Sequence, residues 1–381
     1  VGIIADRWVQ AQKMLSICHV LAGLFMVSAG WYAMDAGADV AFGPLFTLYS
    51  LSVAFFMPTI GLSNSVAYTA LGKAGLDTVK HFPPIRVFGT VGFIVAMLVT
   101  NFAGFQDNCQ QLFFSGAMSI VMALYSLTMP ACPTSGASKQ SGLAEALGLK
   151  AFALFKNKQM AIFFVFSMLL GVSLQITNGF ANPFISCFAQ IKEYADSWGA
   201  NNANALISLS QMSEALCILL IPFFLKRYGI KTVMLMAMFA WVLRFGFFGI
   251  GNPGSGVWLL ILSMIVYGVA FDFFNVSGSL YVDQQTDKDL RSSAQGLFML
   301  MTNGIGATIG TLSAQAVVDH FVNSQPQGTM AMVDGWSHAW LVFAGYALVV
   351  AVLFWIVFKN PKTPADAEKV KRSENNIPAA D

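Results

Sequence analysis

Ten apolar segments leave this chain few folds to choose from. They run roughly over 14–34, 41–69, 85–104, 110–130, 159–190, 205–225, 232–250, 256–282, 293–318 and 337–358. A helix needs about 20 apolar residues to cross a bilayer, and in lipid its backbone amides must be satisfied within the segment. The pattern therefore predicts an all-α polytopic membrane protein. Composition agrees, with 56% hydrophobic and 10% charged residues, against about 25% charged in soluble chains. Long segments such as 41–69 and 159–190 are expected to tilt, kink or overrun the bilayer. Pro58, Pro183 and Pro222 inside segments suggest kinks.

Lysine and arginine sort the loops into two sets. One set is basic: Arg7 and Lys13, Lys73 and Lys80, Lys139 to Lys158, Lys226 to Lys231, Lys288 and Arg291, and the tail from Lys359 to Arg372. The alternate loops carry only Lys192. Both termini are therefore expected in the cytoplasm of a multi-pass inner-membrane protein. The polar stretch 131–158 reads as a linker between an N-terminal bundle, 1–130, and a C-terminal six-helix bundle, 159–358, followed by a polar tail, 359–381. GIIADRW at 2–8 echoes FLKRYGIK at 224–231, a short basic turn between apolar segments. If both turns close the second span of a half, two helices are expected ahead of residue 1, and the chain holds 10 of 12. Such parallel repeats mark one large class of transporters.

Several chemistries find no support. Cys18, Cys109, Cys132, Cys187 and Cys217 are scattered without a CxxC pair, so neither a zinc site nor a disulfide framework is expected. The four histidines are equally dispersed. No phosphate-binding loop, GxSxG elbow or other catalytic constellation is visible, and no cofactor is expected beyond a proton gradient as driving force.

The informative residues are the polar ones within the apolar segments. Asp272, in YGVAFDFFN, sits eleven residues inside Asp283, which ends its segment. That is about 16 Å at helical rise, too deep for a short side chain to reach water. A carboxylate there costs about 2.5–3.5 kcal/mol on insertion scales. Tyr267, Phe271 and Asn275 repeat at four-residue intervals and share one helix face, with Asp272 at its edge. Glu214 follows Gln211 by three residues, and Asn178 follows Gln175 by three. Three segments thus each bring a polar pair to mid-depth, as a bundle does around a hydrophilic pocket. The plainer alternative is interhelical hydrogen bonding. Arg86, with Thr90 and Phe93 on its face, stands near a cytoplasmic entry where it could snorkel. Pro83 and Pro84 are expected to start that helix. Arg244 has no polar companion on its own face; reaching the outer interface and pairing with a bundle acid are both open, and it stays unassigned.

The turn Gly2-x-x-Ala5-Asp6-Arg7 resembles the loop between the second and third helices of the major facilitator superfamily, where it is structural or gating. A more specific likeness runs from Gly2 to about Lys359. FPPIRVFGTVGFI, ALFKNKQMAIFFVFSMLLGVSLQITN, SLSQMSEALCILLIPFFLKRYGIK, SMIVYGVAFDFFNVSGS and SAQGLFMLMTNGIG resemble the bacterial nucleoside–proton symporters of the nucleoside permease G and xanthosine permease type. The resemblance implies a twelve-helix bundle importing purine and pyrimidine nucleosides with protons. It implies substrate contacts at Arg86, Thr90, Phe93, Gln175, Asn178, Gln211, Glu214, Tyr267, Phe271, Asp272 and Asn275.

Aromatic faces suit a base, since stacking is worth ~1–3 kcal/mol per base. Amides and arginine suit ribose hydroxyls and base edges. Burial penalises the charged form of a carboxylate, so Asp272 and Glu214 are expected to carry the coupling proton. The expected partners are a nucleoside such as uridine or adenosine, protons and the lipid bilayer, with no nucleic acid, in a monomer. A sugar or other polar-solute symporter of the same fold is the alternative, and a non-translocating membrane binding protein is a second.

Overall fold

In the computed structural model the described residues are 9–76, 78–132, 149–286 and 291–359. Every regular element among them is helical. Two compact units divide the chain, Val1–Ala146 and Leu147–Asp381.

The first unit holds α1 (Ala11–Ala36), α2 (Phe42–Lys73), α3 (Thr78–Phe102) and α4 (Gln110–Ser126). These helices are apolar around most of their circumference, which lipid permits and water does not. α1 packs between α2 and α4, and α2 also meets α3. The small core gathers Met14, Leu15 and Cys18 of α1 with Leu62 and Val66 of α2 and Cys132. Pro83 and Pro84 do not start their helix, because α3 already begins at Thr78. Each proline removes one amide and so leaves unpaired only a carbonyl one turn back, a loss confined to the first turns of α3.

The second unit opens on 3₁₀ turns, Leu149–Lys156. Asn157 caps α5 (Lys158–Cys187) by accepting from the amides of Gln159 and Met160 at 2.9 and 3.4 Å. α6 (Ala203–Ile250) contains two of the expected segments. The basic loop expected at 226–231 contracts to one residue, Gly229, with φ 75° and ψ 168°. Only glycine adopts that backbone without steric cost, so helix resumes on both sides. α7 (Val257–Gln285) returns along α6 and makes the most extensive helix pair of the unit. Next come α8 (Arg291–Met299), a π-helical run Leu300–Gly306 and α9 (Ala307–Val318). A second π-helical run, Asp319–Asn323, leads to α10 (Met330–Val357). Neither π segment was expected, and α10 starts seven residues ahead of the segment 337–358.

The second core is larger and aromatic. Phe163, Phe184, Phe245, Phe248 and Trp340 are fully buried there, drawn from α5, α6 and α10. Pro58, Pro183 and Pro222 lie inside α2, α5 and α6 without ending them. Among the described residues, seven helices are long and apolar enough to cross a membrane. The count falls below the ten apolar segments because α6 spans two of them, the apolar run of α3 is only Val87–Phe102, and α4 has 17 residues. All five cysteines are free.

Candidate functional site

Two helices of the second unit, α6 and α7, bring polar residues toward Tyr267. α7 can approach α6 closely because residue 268 is glycine: a Cβ there would lie 2.5 Å from the carbonyl oxygen of Ser213 and 2.8 Å from Cys217 Sγ. Ser213 Oγ also donates to the Ile265 carbonyl across the same seam. Gln211 and Glu214 of α6 are thereby set beside Tyr267 and Asp272 of α7.

Tyr267 is 5% exposed. Its side chain shares a hydrogen bond with Gln211 and lies within Coulombic reach of Glu214, Arg244 and Asp272. Phe271, one turn on, stacks parallel to it at 5.7 Å with 6° between the planes. Trp241 of α6 meets the Tyr267 ring edge-on at 6.0 Å and 87°. Asp272 is also 5% exposed and comes within Coulombic reach of the Cys217 thiol on α6. Both acids therefore act electrostatically on one tyrosine. Phe271 and Asn275 line a small cleft of about 20 Å³ with Trp241, Leu174, Gly171 and Thr302. On α5, Gln175 is half-buried against Gly310 of α9, and Asn178 is exposed.

Arg244 completes the cluster, and its surroundings could not be read from its own helix. It is 1% exposed. Its Nε donates to Thr177 Oγ1 at 3.2 Å, and its Nη1 donates to the Ser263 carbonyl at 2.7 Å and Ser210 Oγ at 3.4 Å. The guanidinium carbon lies 4.5 Å from the Tyr267 ring centroid and 5.0 Å from that of Phe248. Arg244 thus does not reach for an interface, because its polar companions come from α5, from α7 and from the far arm of α6. Trp241, Thr177 and Ser263 also escaped the sequence reading. A serine or threonine inside an apolar segment carries no signal until its partner is known.

A second polar link joins α5 to α6. Asn182 Nδ2 donates to Asn204 Oδ1 at 2.6 Å, and Ser186 Oγ donates to Asn182 Oδ1 at 3.2 Å.

Arg86, Thr90 and Phe93 lie on α3 of the first unit. Thr90 is half-buried and Phe93 is 54% exposed. Gly2, Asp6 and Arg7 lie outside the described residues. Among the described residues no three or more His, Cys, Asp or Glu side chains gather as metal ligands do.

Known proteins share this sequence and architecture. A family model described as Nucleoside H+ symporter matches residues 1–363. Xanthosine permease of Escherichia coli (strain K12) is 50% identical over 372 residues, covering 97% of this chain and 85% of that protein. Nucleoside permease NupG of Escherichia coli (strain K12) is 44% identical over 359 residues, covering 94% and 82%. A crystal structure of nucleoside transporter NupG with an aspartate-to-alanine substitution superposes with a TM-score of 0.85 at 43% identity, over 94% of this chain and 86% of that one. The fold is that of the major facilitator superfamily, and the relatives are permeases rather than enzymes. The chain belongs to the nucleoside–H+ symporter family.

Proposed function

We propose that this protein imports purine and pyrimidine nucleosides, each with a proton, by alternating access across a bacterial inner membrane with both termini in the cytoplasm. The observation that carries the reading is the parallel Tyr267–Phe271 pair set beside Gln211 and within Coulombic reach of Glu214 and Asp272. A nucleoside needs a flat surface for its base and fixed donors and acceptors for its ribose. The aromatic pair supplies the first, because stacking tolerates any base. Gln175, Asn178, Gln211 and Asn275 supply the second, since an amide both donates and accepts. Arg86, Thr90 and Phe93 on α3 are the contacts proposed from the first unit.

Two carboxylates beside one substrate surface supply the coupling. A charged carboxylate removed from water is costly unless it is compensated, and protonation lifts that cost. In the proposed cycle Asp272 or Glu214 takes a proton from the outer side, the neutral site closes around nucleoside, and the proton leaves to the cytoplasm. No cofactor takes part. The domain plan proposed is an N-terminal bundle, a linker at 131–158 and a C-terminal bundle, acting as a monomer.

The test is uptake of labelled uridine and adenosine into cells making the protein, with and without a proton uncoupler. Accumulation of both that collapses with the uncoupler is expected. Uptake blocked by monosaccharides and indifferent to unlabelled nucleosides would move the reading to a sugar symporter.

A further inference from the structure

Arg244 is buried more deeply than either acid of the site, yet the proposed transport cycle gives it no task. A buried guanidinium is costly unless its donors are satisfied. Its hydrogen bonds and ring contacts run to Thr177, Ser210, the Ser263 carbonyl and two aromatic rings. For stability alone an apolar side chain of similar volume serves as well or better. The positions of the acceptors supply the reason for a cation. Thr177 adjoins Asn178 on α5, Ser210 adjoins Gln211 on α6, and Ser263 lies one turn before Tyr267 on α7. One planar fork, with five donors in fixed geometry, therefore ties three helices at the level of the substrate residues. The same fork lies 4.5 Å from the centre of the Tyr267 ring, which is parallel to Phe271.

We propose that Arg244 is a positioning residue of the nucleoside site. Its cation–π contact fixes the Tyr267 ring, and with it Phe271, as a preset stacking face. Its hydrogen bonds hold α5, α6 and α7 in the register that aligns their amides. Arg244 need not touch the substrate. The proposal rests on the reading that Tyr267 and Phe271 take the base.

The test is a double-mutant cycle, read as the equilibrium binding of labelled uridine to the purified full chain, with the melting temperature measured alongside. Arg244→Met keeps the volume and removes the cation, and it should weaken binding about thirtyfold, the size of a desolvated cation–π contact. Arg244→Lys keeps the charge without the fork and should fall between. In a Tyr267→Leu background, Arg244→Met should change affinity by less than about twofold, because coupled residues are not additive. A purely structural role predicts the same loss in both backgrounds, and that result overturns the proposal. So does an Arg244→Met protein that binds uridine within about twofold of the parent. If Arg244→Met does not fold, Thr177→Val removes one acceptor and keeps the shape. It should weaken binding about threefold, as expected of one hydrogen bond, and have no effect in the Tyr267→Leu background; equal loss in both again overturns the proposal. Binding of uridine by the parent tests the functional reading by itself, so a failed cycle with an intact parent removes only the role of Arg244.

Discussion

The two units treat their buried polar groups differently. In the first unit several such groups each tie α1 to a single neighbour. Ser16 Oγ donates to the Ala123 carbonyl at 2.8 Å, Ser52 Oγ donates to the Ala22 carbonyl at 2.7 Å, and His19 Nδ1 pairs with Ser119 Oγ at 3.1 Å. These contacts are separate, and two of the three end on a carbonyl. In the second unit Gln211, Glu214, Arg244 and Asp272 all act on one side chain, Tyr267. Lone polar ties are the glue that helices use in lipid, worth around 0.6 kcal/mol each on average. Convergence of an amide, two acids and a cation on one ring exceeds what glue requires. The comparison teaches that a polar residue in a span is informative through the company it keeps rather than through its own burial.

Several substitutions can break or sharpen that contrast. The largest effect belongs to the seam that permits convergence. Gly268→Leu places side-chain atoms where the Ser213 backbone already lies, and overpacking of this kind costs about 1–3 kcal/mol or more. A sharp fall in melting temperature, with loss of uridine binding in whatever folds, is expected. A normal melting temperature would show that α6 and α7 are not held by close contact. Phe271→Ala should come next, weakening uridine affinity by ~1–3 kcal/mol, the worth of one stacked base. The melting temperature should move little, since Phe271 is only partly buried. Unchanged affinity would take Phe271 out of the site. The smallest effect is expected in the first unit. Ser52→Ala removes a single tie and should cost about 1 kcal/mol of stability or less, with uridine affinity unchanged. A large loss of affinity there would erase the distinction between the units.

Much of this was legible in the sequence, for identifiable reasons. Polar pairs at three- and four-residue spacing inside apolar runs located Gln175 and Asn178, Gln211 and Glu214, and the Tyr267–Asn275 face, because helical period alone decides what shares a face. In the structure two residues of that face, Tyr267 and Phe271, stack on each other. Arg244 was illegible because its partners stand 67, 34 and 19 residues away in the chain. Only tertiary packing joins them. The π-helical runs at Leu300–Gly306 and Asp319–Asn323 leave no mark in an apolar pattern. The contraction of 226–231 to Gly229 was hidden for another reason, since basic residues there mark an interface whether or not a loop is present. The early start of α3 shows the same limit, because the Pro83–Pro84 pair is a helix-start signal that context overrode.

Coupling to protons through the acid beside Tyr267 is the central claim, and one measurement meets it directly. Asp272→Asn keeps size and hydrogen bonding while removing the titratable group. Labelled uridine would be followed in proteoliposomes in two assays, uphill accumulation under an imposed pH gradient and exchange against internal unlabelled uridine. The account predicts that accumulation is lost while exchange continues, since the site still binds and reorients. Accumulation at the parental level in Asp272→Asn, and again when Glu214→Gln is added, would contradict it.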